Sequence, residues 1–168
     1  MKKRILTYEG EEIEVTWDKE RCIHAGACVR SLPAVFDTSR RRWVLPDNAS
    51  ASEVADVIEQ CPTGALHYEM KHKARQEVPP SRNRIKLQPN GPVYLFGDIE
   101  IEGPDGTTLL QDTRVALCRC GVSANKPLCD NTHTKSGFKA SRDADTESLP
   151  KTDTSDGPIV VRLMKDGP

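Results

Sequence analysis

Cys118-Arg119-Cys120-Gly121-Val122-Ser123-Ala124-Asn125-Lys126-Pro127-Leu128-Cys129-Asp130-Asn131-Thr132-His133 places three thiols and one imidazole within 16 residues. Four soft or borderline ligands are enough for a complete four-coordinate metal site. The single-residue gap between Cys118 and Cys120 lets both thiolates address one centre only where the backbone is extended or tightly turned. Gly121 and Pro127 restrict the rest of the loop. The residues upstream read as short strands, 93–96, 98–101 and 114–118, with a turn at Pro104-Asp105-Gly106.

A second set of thiols lies in the N-terminal half. Cys22 and Cys28 are five residues apart, and Cys61 follows much later, directly before Pro62. A hairpin over 5–8 and 13–17, turned through Glu9-Gly10, leads into the first of them. Ser50 and Glu53 have the spacing of a capping box, and Val54, Val57 and Ile58 recur at helical intervals, so a helix is expected to deliver Cys61 and to stop at Pro62.

With 168 residues, the chain makes one ordinary domain or two small ones. Its apolar fraction of 36% and aromatic fraction of 5% are low for burying two secure cores, so a metal or cluster that adds folding free energy fits the shortfall. The net charge of −1 gives no overall attraction to nucleic acid, and no stretch approaches the roughly 20 apolar residues of a membrane span. Glu9, Glu11, Glu12 and Glu14 stand where an export signal would place its apolar core, so a cytoplasmic location is expected. In that reducing compartment the six cysteines point to ligation rather than disulfides.

The C-terminal motif resembles the CDGSH iron-sulfur family, the mitoNEET-like proteins, through Cys118, Cys120, Ser123, Pro127, Cys129, Asp130, Thr132 and His133. Ala116-Leu117 and Gly137-Phe138 extend the likeness over about residues 84–140. One position departs: Asn131 stands where the family usually has glycine, and asparagine is the residue best suited to replace glycine at positive φ. The resemblance implies a 2Fe-2S cluster with Cys118 and Cys120 on one iron and Cys129 and His133 on the other. Lys126 would influence its charge, while Ser123 and Asp130 would supply supporting hydrogen bonds. An imidazole ligand makes such a cluster less negative and open to proton competition. The ligand set by itself also suits structural zinc.

The N-terminal run around Cys22 and Cys28, with Leu32-Pro33-Ala34-Val35-Phe36-Asp37 and Cys61-Pro62-Thr63-Gly64-Ala65-Leu66, resembles divergent single-cluster ferredoxins over most of residues 10–70. Bacterial ferredoxins space successive ligands by two residues, and the middle ligand would fall at Ala25, which cannot bind iron. With three thiolates, a 3Fe-4S cluster is the first expectation, and a 4Fe-4S cluster completed by water or His24 the second. A hydrogen-bonding or surface role is expected for His24, one residue off the ligand position. His67 and His72 carry no signal.

The resulting expectation is an α+β chain: a small ferredoxin-like domain over 1–70, a basic linker over 71–83, and a β-rich CDGSH domain over 84–168. Residues 71–86 sum to +5 while the flanking segments each sum to −3, so the joint reads as a solvated linker able to lie on an acidic face. Residues 85–92 resemble 161–168, which suggests a strand over 159–164 pairing with the Ile85 region. The polar stretch after Ala140 is expected to be mobile until Pro158. In function, an electron-transfer relay leads, and storage or delivery of the 2Fe-2S cluster to apo-acceptors is the rival. No nucleophile–base pair or phosphate loop argues for a catalyst. Redox proteins or apo iron-sulfur acceptors are the expected partners, with neither nucleic acid nor membrane. The CDGSH resemblance implies a homodimer unless the ferredoxin half takes the partner's place.

Overall fold

The structure is a computed structural model that describes residues 5–72, 75–140 and 157–164. The stretch expected to be mobile lies outside these residues apart from its last two. In the N-terminal half the hairpin forms as expected, with β1 (Ile5–Glu9) and β2 (Ile13–Asp18) antiparallel and β3 (Leu66–Met70) on the other edge of β2. The register pairs Val15 with Tyr68 and Ile13 with Met70, so alternate residues of both strands enter one apolar core with Val35, Phe36, Val44, Val54 and Ile58. Two short helices cover it, α1 (Ala27–Ser31) and α2 (Ala51–Ile58). Ser50 and Glu53 close the capping box at the start of α2. The described residues are therefore mostly β, with less helix than the α+β expectation supposed.

The C-terminal sheet is built on a long hairpin, β5 (Val93–Glu102) with β6 (Thr108–Leu117). Its other edge is shared by two short strands. β4 (Arg84–Leu87) pairs antiparallel with residues 93–96, and β7 (Ile159–Arg162) pairs parallel with residues 99–102. The expected C-terminal strand exists but pairs with β5 rather than with the Ile85 region, since that region, β4, is itself on β5 and lies end to end with β7 along the same edge. A register shift falls between the two, and Asn83 bridges it, donating to the Gly157 carbonyl at 2.7 Å and accepting from the Asp98 amide at 3.2 Å.

Period-two alternation gives this sheet two working faces. Val93, Leu95, Val115 and Leu117 turn to a small core shared with Leu128, Ile159 and Val161. Tyr94, Phe96, Arg114 and Ala116 belong to the face that meets the N-terminal half, where Ile23 packs with Tyr94, Ala116 and Cys129. Arg114 donates to the carbonyls of Ile58 and Leu66 and pairs with Glu77. Arg21 pairs with Asp112 at 2.7 Å and donates to the carbonyls of Thr63 and Arg114. Gly64, with φ of 63°, makes this closeness feasible: a Cβ there would lie 2.3 Å from the Arg21 guanidinium and 2.4 Å from the Arg114 carbonyl oxygen.

The basic joint is tied down at two points. Arg75 pairs with Asp56 and Glu59, at 2.7 and 2.8 Å, and Glu77 enters the buried network. His67, silent in the sequence, sits between two carboxylates, with Nδ1 at 2.9 Å from Glu77 and Nε2 at 3.1 Å from Asp112. Burial alone would lower its pKa, but the hydrogen bonds to Asp112 and Glu77 prevail and raise it to about 9. Burial likewise opposes ionisation of Asp112, yet His67 and Arg21 bring its pKa down to about 2.

A histidine whose pKa is raised on folding binds more protons in the native state, so its stabilising contribution is complete below about pH 6.5 and is lost as pH rises through about 9. Since a third of the His67 side chain meets solvent, the contribution is about 1–2 kcal/mol. Thermal melts across this window should show wild type losing that stability as pH rises, whereas His67→Gln starts lower and lacks this component. Parallel pH profiles for the two proteins would remove His67 from the account.

Candidate metal centres

Cys22 follows the single helical turn Lys19–Arg21 at the end of β2. Gly26, left-handed at φ 76°, turns the chain into α1, which carries Cys28 as its second residue. Cys61 emerges after α2, its amide donating to the Ile58 carbonyl at 2.9 Å. The three thiols, far apart in sequence, line one internal cavity with Trp17, Ala25, Trp43 and Leu66. Burial pushes the Cys28 pKa up to about 11, and nearby Cys61 and Cys22 act in the same direction. Three thiols gathered around one small buried space suit a cationic partner, and the Trp17 indole N–H is buried without a hydrogen-bond acceptor. A metal–sulfide cluster would fit this lining, with Cys22, Cys28 and Cys61 as the thiolates that would hold it and sulfur as an acceptor for the N–H.

His24, at φ 57°, is exposed and lines an outer cleft with Cys22 and Cys28 rather than the inner cavity. Ala25 packs instead toward Ile23, Tyr94, Ala116 and Cys129. The face of the site that lacks a cysteine therefore looks at the C-terminal half.

In that half, β6 delivers Cys118. The Cys118 amide donates to the Pro127 carbonyl at 2.9 Å and the Cys129 amide to the Ala116 carbonyl at 2.9 Å, which folds the ligand loop back along the strand. Cys118 Sγ and Cys120 Sγ are 3.7 Å apart, and Cys129 Sγ is 3.4 Å from His133 Nδ1. Two ligands on one tetrahedral ion with metal–sulfur bonds of about 2.3 Å must sit about 3.7 Å apart. The side chains are thus paired in the two-and-two arrangement that the resemblance implies. Burial works against ionising Cys118, but the amides of Ser123, Gly121 and Cys120 donate toward its sulfur and keep its pKa below the usual thiol value. Burial raises that of Cys129, with the Asn131 amide, 3.5 Å from the sulfur, opposing.

Asn131 adopts φ 73° and ψ 2°, the left-handed conformation for which it was expected to substitute for glycine. Ser123 donates to the Leu128 carbonyl at 2.7 Å and accepts from the Asn125 amide. Asp130 accepts from the amides of Ala124 and Thr132, at 2.8 and 3.0 Å. Both hold the loop closed. Lys126 is exposed and lines a groove beside Cys118 and Pro127.

Sequence reasoning missed several supporting side chains. Arg119, between two ligands, donates to the carbonyls of Gly91 and Gln88, at 3.0 and 2.7 Å, and lies over the Phe138 ring, fixing the loop to the β4–β5 turn. Tyr94 and Trp17 read only as strand residues, and their place beside the thiols follows from long-range packing. His67, Glu77 and Asp112 also cluster at metal-binding distance. Both imidazole nitrogens are already engaged, and Arg21 and Arg114 neutralise the carboxylates, so this group is an ionic clamp.

Two cysteine sites on one small, mostly β chain define an iron-sulfur protein. Residues 8–71 match the family described as divergent 4Fe-4S mono-cluster, and residues 90–134 match the iron-binding zinc finger of CDGSH type. The chain is 41% identical over 66 residues to "Uncharacterized protein YjdI" from Escherichia coli (strain K12), and equally to its counterpart in Escherichia coli O157:H7. The aligned segment is 39% of this chain and 84% of each relative. The chain therefore belongs to the divergent 4Fe-4S mono-cluster family, here joined to a CDGSH-type unit. No solved structure matches the chain. Among the described residues, no helix is long and apolar enough to cross a membrane.

His133→Cys should retain iron and release it at a lower pH than wild type, because a thiolate replaces the ligand for which a proton competes most readily. Visible absorbance followed on acidification checks this. Identical acid release in the two proteins would remove His133 from the ligand set.

Proposed function

We propose that the chain is a two-cluster electron-transfer relay, with a 4Fe-4S-type cluster held by Cys22, Cys28 and Cys61 and a 2Fe-2S cluster held by Cys118, Cys120, Cys129 and His133. The observation that carries this reading is the shared apolar contact layer: Ile23, beside one ligand, packs with Tyr94, Ala116 and the ligand Cys129. The family description favours 4Fe-4S over the 3Fe-4S form expected first from the thiolate count. When bound, such clusters supply one-electron chemistry at potentials set by charge, hydrogen bonding and burial.

The chain's part is to hold each cluster between rigid strands, to exclude water from the space between them, and to fix their separation through the buried ion pairs. In this reading the protein is a carrier rather than a catalyst. It works in the cytoplasm, where its six cysteines stay free for ligation. Its external partners are redox proteins. The N-terminal half covers the Tyr94 face of the CDGSH sheet, which supports a functional monomer over the homodimer expected from the resemblance.

Repeated anaerobic cycles of reduction and reoxidation test the relay. Visible spectrum and iron content should be unchanged after many cycles, also with an apo iron-sulfur acceptor present. Progressive transfer of iron and sulfide to the acceptor would replace the relay with cluster delivery.

A further inference from the structure

Thr63 is a buried polar residue, 3% exposed, two positions after Cys61 and between Pro62 and Gly64. The Ala65 amide donates to its Oγ1 at 3.2 Å, and the Arg21 guanidinium donates to its carbonyl at 2.7 Å. Arg21 is itself seated on Asp112 at 2.7 Å, so the ionic network between the halves holds this turn in place. Oγ1 lies 3.6 Å from Cys61 Sγ, within hydrogen-bonding reach of a sulfur atom. The direction of that bond follows from the chemistry of the site. A cysteine that ligates iron is a thiolate and has no proton to give. The Ala65 amide engages Oγ1 as an acceptor, which leaves the hydroxyl proton for the sulfur. A β-branched side chain has few accessible χ1 rotamers, so the hydroxyl stays aimed once the turn is fixed.

We propose that Thr63 sets the potential of the N-terminal cluster by donating its hydroxyl to the Cys61 ligand sulfur. It is a positioning residue, acting through Cys61 without holding the cluster itself, and the proposal rests on the reading that Cys22, Cys28 and Cys61 bind an iron-sulfur cluster. A proton shared with ligand sulfur offsets negative charge, of which the reduced cluster carries one unit more than the oxidised one. The bond therefore favours reduction, and its removal shifts the potential downward. Because the Thr63 carbonyl is tied to Arg21, the same turn that aims the hydroxyl is anchored to the junction of the two halves.

Thr63→Val keeps the size and branching and deletes the hydroxyl, while Thr63→Ser keeps the hydroxyl and deletes the methyl. Full-length wild type and both variants, loaded anaerobically with iron and sulfide, are titrated potentiometrically with EPR detection, the C-terminal cluster serving as internal reference. The N-terminal midpoint should move to a more negative value in Thr63→Val and stay near wild type in Thr63→Ser, with the C-terminal midpoint the same in all three. Thr63→Ala carries the same comparison if Thr63→Val does not take up iron. A threonine that only braces the turn would lower the melting temperature of Thr63→Val and leave its N-terminal midpoint in place, which would overturn the proposal. An equal shift of both clusters, or the same shift in Thr63→Ser, would overturn it too. Wild-type protein with about two irons per chain would instead remove the N-terminal cluster, and with it the reading on which the proposal rests.

Discussion

The arrangement depends on a buried ionic network that neither half completes alone. Arg21 and His67 come from the N-terminal sheet and its exit, Glu77 from the joint, and Asp112 and Arg114 from β6. The side chains of Asp112, Arg114 and Arg21 are between 2% and 8% exposed. An ionised group this deep is tolerated only with its counter-charge and its remaining hydrogen bonds in place. Separating the halves would strand these charges, so the network fixes orientation more than it adds net stability. Gly64 permits the approach, since any side chain there would collide with the same guanidinium and carbonyl.

That orientation determines the chemistry. Once Asp112 and Arg114 are seated, the next residue on the same face of β6, Ala116, meets Ile23, and Tyr94 beside it meets the loop of Cys22. Asn125, within the CDGSH loop, reinforces the contact by donating to the Glu20 carbonyl at 2.9 Å. Two units that would each be marginal alone are joined through an apolar contact of Ile23 with Tyr94, Ala116 and Cys129. The joint contributes through Arg75 on Asp56 and Glu59, so a segment whose charge suggests a tether serves as a strap.

What the sequence disclosed was local. Cys118, Cys120, Cys129 and His133 sit within one loop of 16 residues, so the motif was legible and the resemblance it carried implied the pairing now seen at 3.7 and 3.4 Å. The left-handed Asn131 and the capping box of Ser50 with Glu53 were legible for the same reason. Contacts across long separations were not. Arg21 reaches the Arg114 carbonyl 93 residues away, and His67 reaches Asp112 over 45. No periodicity marks a histidine that will become an ionic clamp, or a tyrosine that will pack on Cys129 and Ile23. β7 was recognisable as a strand, but its partner depended on which part of the β5 edge β4 had left open.

The central claim, two iron-sulfur clusters on one chain, is tested most directly by iron, zinc and acid-labile sulfide analysis of anaerobically purified full-length protein. About six irons and six sulfides per chain, with little zinc, are predicted for a 4Fe-4S-type site beside a 2Fe-2S site. Zinc without sulfide would contradict the account.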